Sequence, residues 1–162
     1  MPHYNVLFLC TGNSARSIMA EAIMNQKGQP NFVAFSAGSQ PTGAVRPEAI
    51  RQIENAGLSA ADARSKSWDE FSAPGAPHFA FVFTVCDNAA QEVCPFWPGH
   101  PMTAHWGVPD PAATQGSPAE IDRAFSQAFQ ALDRRINLFL SLPLATLDNL
   151  AIQRKIDEIG KL

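Results

Sequence analysis

Apolar and polar positions along the chain fall into blocks with two different periods, and the blocks alternate. Short apolar runs rich in Val, Phe and Leu predict buried strands at residues 5–9, 32–35, 79–85 and 103–106. Apolar residues at helical spacing predict helices at residues 17–28, 47–56, 118–139 and 146–159, with a shorter one at 65–71. Strands that alternate with helices predict an α/β domain with a parallel sheet and helices on its faces.

Start and stop signals support the predicted helices. Gly28 and Gly57 mark two helix ends, and Pro47 stands in the first turn of a helix whose buried face is predicted to carry Ile50 and Ile53. The segment 117–120, Ser-Pro-Ala-Glu, is a capping box that opens the long third helix.

Composition and charge limit the classes of function. The chain has 162 residues, 46% of them apolar and 17% charged, which fits one domain with a hydrophobic core and excludes a disordered chain. The net charge of -3 does not favour binding to nucleic acid, so any bound anion needs a local site. We find no secretory signal and no apolar run of membrane-spanning length, and the three cysteines are too few for a disulfide scaffold. A cytoplasmic protein with reduced thiols and no membrane partner is therefore expected.

The segment 10–17, CTGNSARS, carries the clearest chemistry, because it links the first strand to the first helix. Backbone N–H groups in such a loop form a cup for a tetrahedral oxyanion, and the helix N-terminus adds partial positive charge. The predicted oxyanion-binding residues are Thr11, Gly12, Asn13, Ser14, Ala15, Arg16 and Ser17. Gly12 and Asn13 tolerate the unusual backbone angles that a tight cup requires, and Arg16 is expected to grip two oxygens of the anion.

Cys10 lies beneath this predicted cup, where positive charge favours a thiolate. We therefore expect a lowered pKa and a nucleophilic role for Cys10, with Ser17 donating a hydrogen bond to its sulfur. A lone cysteine at a strand end is more often a small buried apolar residue. The strand, the glycine, the spacing to Arg16 and the following helix together favour the anion cup. The loop lacks the Gly-Lys-Ser/Thr ending of a nucleotide P-loop.

Together with Asp110-Pro111, the segment CTGNSARS resembles the low-molecular-weight protein tyrosine phosphatase superfamily, and the fuller pattern resembles its arsenate reductase branch. The resembling stretches are residues 6–21, 36–38, 84–94 and 105–111. The resemblance implies a three-layer α/β fold with a small sheet of four parallel strands flanked by helices. We expect this domain to cover residues 1–143, with residues 144–162 as a helical extension packed on it.

The resemblance assigns the role of general acid to Asp110, which would protonate the leaving oxygen. An aspartate between two prolines is also typical of a simple turn. Tyrosine phosphatases of this family place tyrosines after the Asp-Pro pair, whereas this chain has Ala112 and Ala113. The sequence therefore favours a small inorganic oxyanion over an aromatic phosphoester. Arsenate is the expected substrate, with phosphate and sulfate as competing oxyanions.

Cys86 and Cys94 follow the third predicted strand, and Cys86 is expected to face the same crevice as Cys10. The resemblance implies a thiol relay in which Cys86 attacks the Cys10 adduct and Cys94 then attacks Cys86. The reductant would be thioredoxin or glutathione with glutaredoxin, and no bound cofactor is expected. Two packed thiols are the structural alternative. A metal site made by Cys86, Cys94, His100 and His105 is disfavoured by its spacing.

Asn13, Glu21 and Ser36 match positions that bind a monovalent cation in some relatives. The carboxylate expected near residues 66–67 is absent, and Lys66 is a candidate to replace the ion. No metal is therefore predicted.

The leading functional hypothesis is an arsenate reductase. The first alternative is a phosphatase, which needs only Cys10, Arg16 and Asp110. A non-catalytic anion-binding or redox-sensing module is the alternative from a different class, and it would not need Asp110.

Overall fold

The sheet that organises the protein has four parallel strands in the order β2–β1–β3–β4. A computed structural model describes residues 3–86, 97 and 100–162. The strands are β1 (Tyr4–Leu9), β2 (Phe32–Ala37), β3 (Phe81–Thr84) and β4 (Met102–His105). Leu9 lies opposite Ala37 on one side and Thr84 on the other, so these three strands end at the same edge. The predicted α/β fold with a small parallel sheet is confirmed.

The helices of the described residues are α1 (Arg16–Lys27), α2 (Pro47–Asn55), α3 (Pro118–Leu140) and α4 (Asn149–Ile159). The capping box at Ser117 is formed as predicted. Helix α4 begins three residues later than predicted, because Asp148 caps it by accepting from the N–H of Ala151. The short helix predicted at 65–71 is a single 3-10 turn at Trp68–Phe71, since Ser67 before it is extended and forms a parallel bridge with Gly38, the residue after β2.

The two faces of the sheet bury different sets of side chains. Val6 and Phe8 of β1 point to the larger face, which is covered by the four helices, and Phe83 stacks on Trp106 there with 3.8 Å between ring centroids. The smaller cluster on the other face consists of Leu7, Leu9, Ala37, Phe71, Phe79, Val82 and Trp97. Each large side chain that is fully buried in this way contributes roughly 1.5–3 kcal/mol to the free energy of folding.

Two details of the helices differ from the sequence prediction or add to it. In α2 the fully buried residues are Ala49 and Ile53, one turn apart, while Ile50 is only half-buried at the edge of that face. Helix α4 packs against β4 and α3. The division into a domain of residues 1–143 and an extension of residues 144–162 stays a prediction. Among the described residues, no helix combines the length and the hydropathy that a bilayer-spanning segment requires.

Candidate active site

The loop between β1 and α1, residues 10–15, is held in place by hydrogen bonds that its carbonyl oxygens accept from residues outside the loop. The backbone N–H groups of Gln40, Thr42 and Arg46 donate to the carbonyls of Thr11, Gly12 and Ser14 at 3.0, 3.0 and 2.8 Å. In a trans peptide the N–H group points away from the carbonyl that it follows. The N–H groups of Gly12, Asn13 and Ala15 therefore point into the loop, as an oxyanion cup requires.

Helix α1 adds to the positive potential of this loop. Its N-cap residue, Ala15, makes no side-chain hydrogen bond to the first turn, and the first turn contains no acidic residue. The helix dipole and the uncapped N–H groups therefore act on the space inside the loop. We name residues 10–17 the anion loop.

Asn13 fixes the anion loop from below. Its backbone is left-handed, with φ of 44°, and its fully buried side chain donates to Ser17 Oγ and accepts from the N–H of Lys66, both at 2.8 Å. The unusual backbone expected of Asn13 is confirmed. Gly12 does not use this tolerance, since its φ is not in the left-handed region and a Cβ there would meet nothing closer than 3.4 Å.

A buried polar cluster of Glu21, Ser36 and Lys66 lies next to Asn13. Ser36 Oγ donates to Glu21 Oε1 at 2.9 Å, and Lys66 Nζ donates to Ser36 Oγ at 3.2 Å and to the carbonyl of Arg64 at 2.9 Å. Burial raises the pKa of Glu21 and lowers that of Lys66, while each opposes the other's shift. The ammonium group thus stands among the oxygens for which the sequence suggested a monovalent cation.

Cys86 lies against the anion loop and in contact with Cys10. Its Sγ accepts from the N–H of Thr11 at 3.4 Å, and a hydrogen bond joins the two thiols. Both cysteines are buried. Cys94 lies outside the described residues, so its predicted role is not addressed by the structure.

The pKa of Cys10 is raised, which corrects the sequence prediction that it falls. The hydrogen bond to Cys86 and burial raise the pKa, and they outweigh Arg16 and the N–H of Gly12, which lower it. The sequence prediction rests on the positive charge of the loop and Arg16, whereas the pKa of Cys10 also depends on the thiol of Cys86. Two sulfurs in contact favour one shared negative charge and strongly oppose a second one.

Arg16 joins the anion loop to the segment that carries Asp110. Its Nη1 donates to the carbonyl of Val108 at 2.9 Å, and its Nη2 lies 3.7 Å from Asp110 Oδ1. Asp110 is half exposed, whereas Arg16 is largely buried. We name residues 106–111 the acid loop. The structure therefore brings Cys10, Cys86, Arg16 and Asp110 to one edge of the sheet.

The acid loop also has the turn geometry that was the simpler interpretation of Asp110. Asp110 Oδ1 accepts from the N–H of Ala112 at 3.0 Å, and Asp110 thereby caps a 3-10 turn at Pro111–Ala113. Tyr4, the only tyrosine of the chain, stacks on Phe32 at the opposite end of β1. It therefore supplies no aromatic platform beside Asp110.

Two residues that support the anion loop received no role from the sequence. A Cβ on Gly38 would come within 2.4 Å of the carbonyl oxygen of Thr11, so only glycine allows β2 to pass this close. Ser65 Oγ donates to the carbonyl of Gly12 at 3.2 Å. Both contacts join segments that are distant in sequence, so local patterns do not predict them. The one usable sign in the sequence is a glycine directly after a buried strand, at Gly38. Among the described residues, no three or more His, Cys, Asp or Glu are grouped to hold a metal ion.

Comparison with known proteins places this geometry in context. Residues 5–153 match the family model of the low molecular weight phosphotyrosine protein phosphatase. The chain is similar to arsenate reductase of Bacillus licheniformis, with 34% identity over 86% of this chain and 96% of that protein. It is also similar to arsenate reductase of Bacillus subtilis, with 33% identity over 83% of this chain and 93% of that protein.

The fold is likewise similar to that of a solved arsenate reductase in its phosphate-binding state. The TM-score is 0.70, at 22% identity over 85% of this chain and 97% of that chain.

Proposed function

Because the chain belongs to the low molecular weight phosphotyrosine protein phosphatase family, we propose that it is the family's arsenate-reducing type of enzyme. It converts arsenate to arsenite through a covalent adduct on Cys10 and a disulfide between Cys10 and Cys86. The contact between these two thiols beside the anion loop carries the proposal. A phosphatase has no need of a second thiol at this place.

The anion loop binds arsenate by charge and shape. Inward N–H groups, the N-terminus of α1 and the guanidinium of Arg16 all favour a tetrahedral dianion. Phosphate and sulfate have the same shape and would compete. Cys10 enters the complex as a thiol, because Cys86 and burial raise its pKa, and the bound arsenate dianion takes the thiol proton.

In the first covalent step the Cys10 thiolate attacks arsenic, and an arsenic–oxygen bond breaks. Asp110 donates a proton to the departing hydroxyl, which leaves as water. A positioned acid of this kind contributes about 10²- to 10⁴-fold to the rate. Arg16 stabilises the charge on the remaining oxygens and lies close enough to Asp110 to hold it at the reacting group.

In the second step Cys86 attacks the sulfur of Cys10 as a thiolate. The sulfur–arsenic bond breaks, and its electron pair goes to arsenic, which falls from the +5 to the +3 state. The two thiols are oxidised to a disulfide, and arsenite leaves and takes up protons from water. Thr11 donates to the Cys86 sulfur through its N–H, which stabilises negative charge on the attacking atom.

A dithiol reductant must then restore the two thiols. We assign Cys94 to this stage, where it attacks Cys86, frees Cys10 and passes the disulfide to thioredoxin or to glutathione with glutaredoxin. No bound cofactor takes part in any of these steps. The whole cycle consumes two thiols per arsenate.

The test is arsenite production by the wild-type chain, Cys86→Ser and Cys94→Ser, with the thioredoxin and glutaredoxin systems run in parallel. We expect Cys86→Ser to abolish arsenite production with both systems, since the Cys10 adduct then has no thiol acceptor. Hydrolysis of 4-nitrophenyl phosphate should persist in that variant. If Cys86→Ser reduces arsenate at the wild-type rate, the relay is wrong. A wild-type chain that only hydrolyses phosphate esters would be a phosphatase.

A further inference from the structure

Arg135 of α3 is a buried cation that takes no part in the steps above. Only 8% of its surface is exposed. Its Nη1 donates to the carbonyls of Trp106 and Gly107 at 2.9 and 2.7 Å, and its Nη2 donates to the carbonyl of Leu162 at 3.0 Å. Burial and the charge of Arg134 lower the pKa of Arg135.

The carbonyls that Arg135 binds belong to the start of the acid loop. Trp106 is also fixed from the side of α4, because its Nε1 donates to the carbonyl of Ile156 at 2.9 Å. The end of α4 comes so close to β4 that a Cβ on Gly160 would lie 2.2 Å from the carbonyl of His105. The first residues of the acid loop are therefore held between α3 and α4.

The far part of the acid loop is held by the other arginine. Arg16 binds the carbonyl of Val108, one residue beyond the carbonyl of Gly107 that Arg135 binds. Consecutive carbonyls at 106, 107 and 108 are thus fixed by two guanidinium groups, one from α1 and one from α3. With these peptides fixed, and with Pro109 and Pro111 restricting φ on either side, Asp110 has little freedom of direction.

We propose that Arg135 is a positioning residue for the general acid. It sets the path of the acid loop so that the carboxyl of Asp110 meets the leaving oxygen, and it links α4 to the chemistry at Cys10. This inference rests on the proposed function, in which Asp110 is the acid. A displacement of about 1 Å at a catalytic group can lower a rate by about 100-fold, which makes such a support consequential.

The experiment is a double-mutant cycle of Arg135→Met with Asp110→Asn, and Arg134→Met is the matched control because Arg134 is the exposed neighbour on the same helix. The readouts are kcat and KM for arsenate reduction, and hydrolysis of phenyl phosphate and 4-nitrophenyl phosphate. Phenol is a poor leaving group that needs the acid, whereas nitrophenol needs it far less.

We expect Arg135→Met to lower kcat for phenyl phosphate by about 10- to 100-fold, with a much smaller loss for 4-nitrophenyl phosphate and little change in KM. In the Asp110→Asn background the same substitution should have no further effect. Arg134→Met should match the wild type. Arg135→Lys, which keeps the charge but not the three-carbonyl contact, should lie between the wild type and Arg135→Met, and it replaces that variant if methionine prevents folding.

Equal losses with both esters, or a full loss in the Asp110→Asn background, would overturn the positioning role and leave only a structural one. If the wild type hydrolyses esters but makes no arsenite, the proposed function fails while the cycle on hydrolysis still decides about Arg135. If Asp110→Asn is as active as the wild type, the acid and its support fall together.

Discussion

The anion loop and the acid loop face each other across the site, yet they are built differently. The anion loop is held by backbone: its carbonyls accept from the N–H groups of Gln40, Thr42 and Arg46, and Asn13 ties it to Lys66. The acid loop also has backbone anchors, from the N–H groups of Trp106 and Val108 to the carbonyls of Thr84 and Val85, but its own carbonyls at 106, 107 and 108 are held by the side chains of Arg16 and Arg135. The anion loop binds an anion of constant shape, whereas the acid loop has to orient a single carboxyl group, that of Asp110.

This difference predicts how each region responds to substitution. Backbone anchors are insensitive to most changes of side chain, so the anion loop should fail only where a change reaches its backbone or its charge. The acid loop depends on long cations from remote elements, and it should shift when one of them is shortened. Three further experiments use this contrast, in order of expected effect.

Arg16→Lys should have the largest effect, because Arg16 belongs to both regions. Lysine cannot make the planar bidentate contact with an oxyanion, and it cannot also hold the Val108 carbonyl in the same way. We expect kcat/KM for arsenate to fall by about 10²- to 10³-fold, the usual loss on removing an oxyanion contact. Steady-state kinetics would check this, with Arg46→Lys as the comparison for the same exchange at an arginine whose side chain binds Glu48. A loss below about threefold would contradict the assigned grip on the anion.

Gly38→Ala should disturb the anion loop alone. A Cβ there would lie 2.4 and 2.6 Å from the carbonyl oxygens of Thr11 and Cys10, so the backbone must move. We expect a loss of about 1–3 kcal/mol in the free energy of unfolding, measured by urea denaturation. Gly12→Ala, where the nearest atom is 3.4 Å away, should destabilise the fold less. Equal free energies of unfolding for Gly38→Ala and the wild type would contradict this, and would show that the backbone after β2 can move away from the anion loop at no cost.

Cys86→Ala should change the protonation of Cys10, and it also removes the sulfur that accepts from the N–H of Thr11. Cys86 raises the pKa of Cys10, so its removal should lower that pKa and increase the thiolate fraction at a given pH. The midpoint of Cys10 alkylation by iodoacetamide should then move to lower pH in a Cys94→Ser background, as followed by mass spectrometry. A midpoint that stays in place or moves upward would mean that burial, not Cys86, controls the thiol.

The anion loop was predictable because its chemistry lies within consecutive residues. A buried strand, a cysteine, a small polar loop, Arg16 and a helix start define the cup without knowledge of any distant contact. The left-handed Asn13 also followed from local residue preferences. Local preference could not tell which of the two residues takes the positive φ, since Gly12 allows one that the folded loop does not use.

The supports of the acid loop were not predictable from local patterns. Arg135 stands on α3 among apolar residues at helical spacing, where its three acceptors are up to 29 residues away in sequence. The raised pKa of Cys10 was missed for a similar reason, because it depends on a thiol 76 positions further along the chain. Such effects depend on the register of the sheet and on helix packing.

Ala112 and Ala113, which follow the acid loop, carry only methyl side chains on that side of the site. The methyl side chains of these two alanines offer a substrate neither a hydrogen-bonding group nor an aromatic ring. Under the proposed function, arsenate and phosphate would therefore bind with similar affinity. The enzyme would distinguish the two anions only after binding, because arsenic(V) is easily reduced by two electrons and phosphorus(V) is not. The enzyme would then tolerate abundant phosphate as a reversible occupant and convert only the anion that its sulfur pair can reduce.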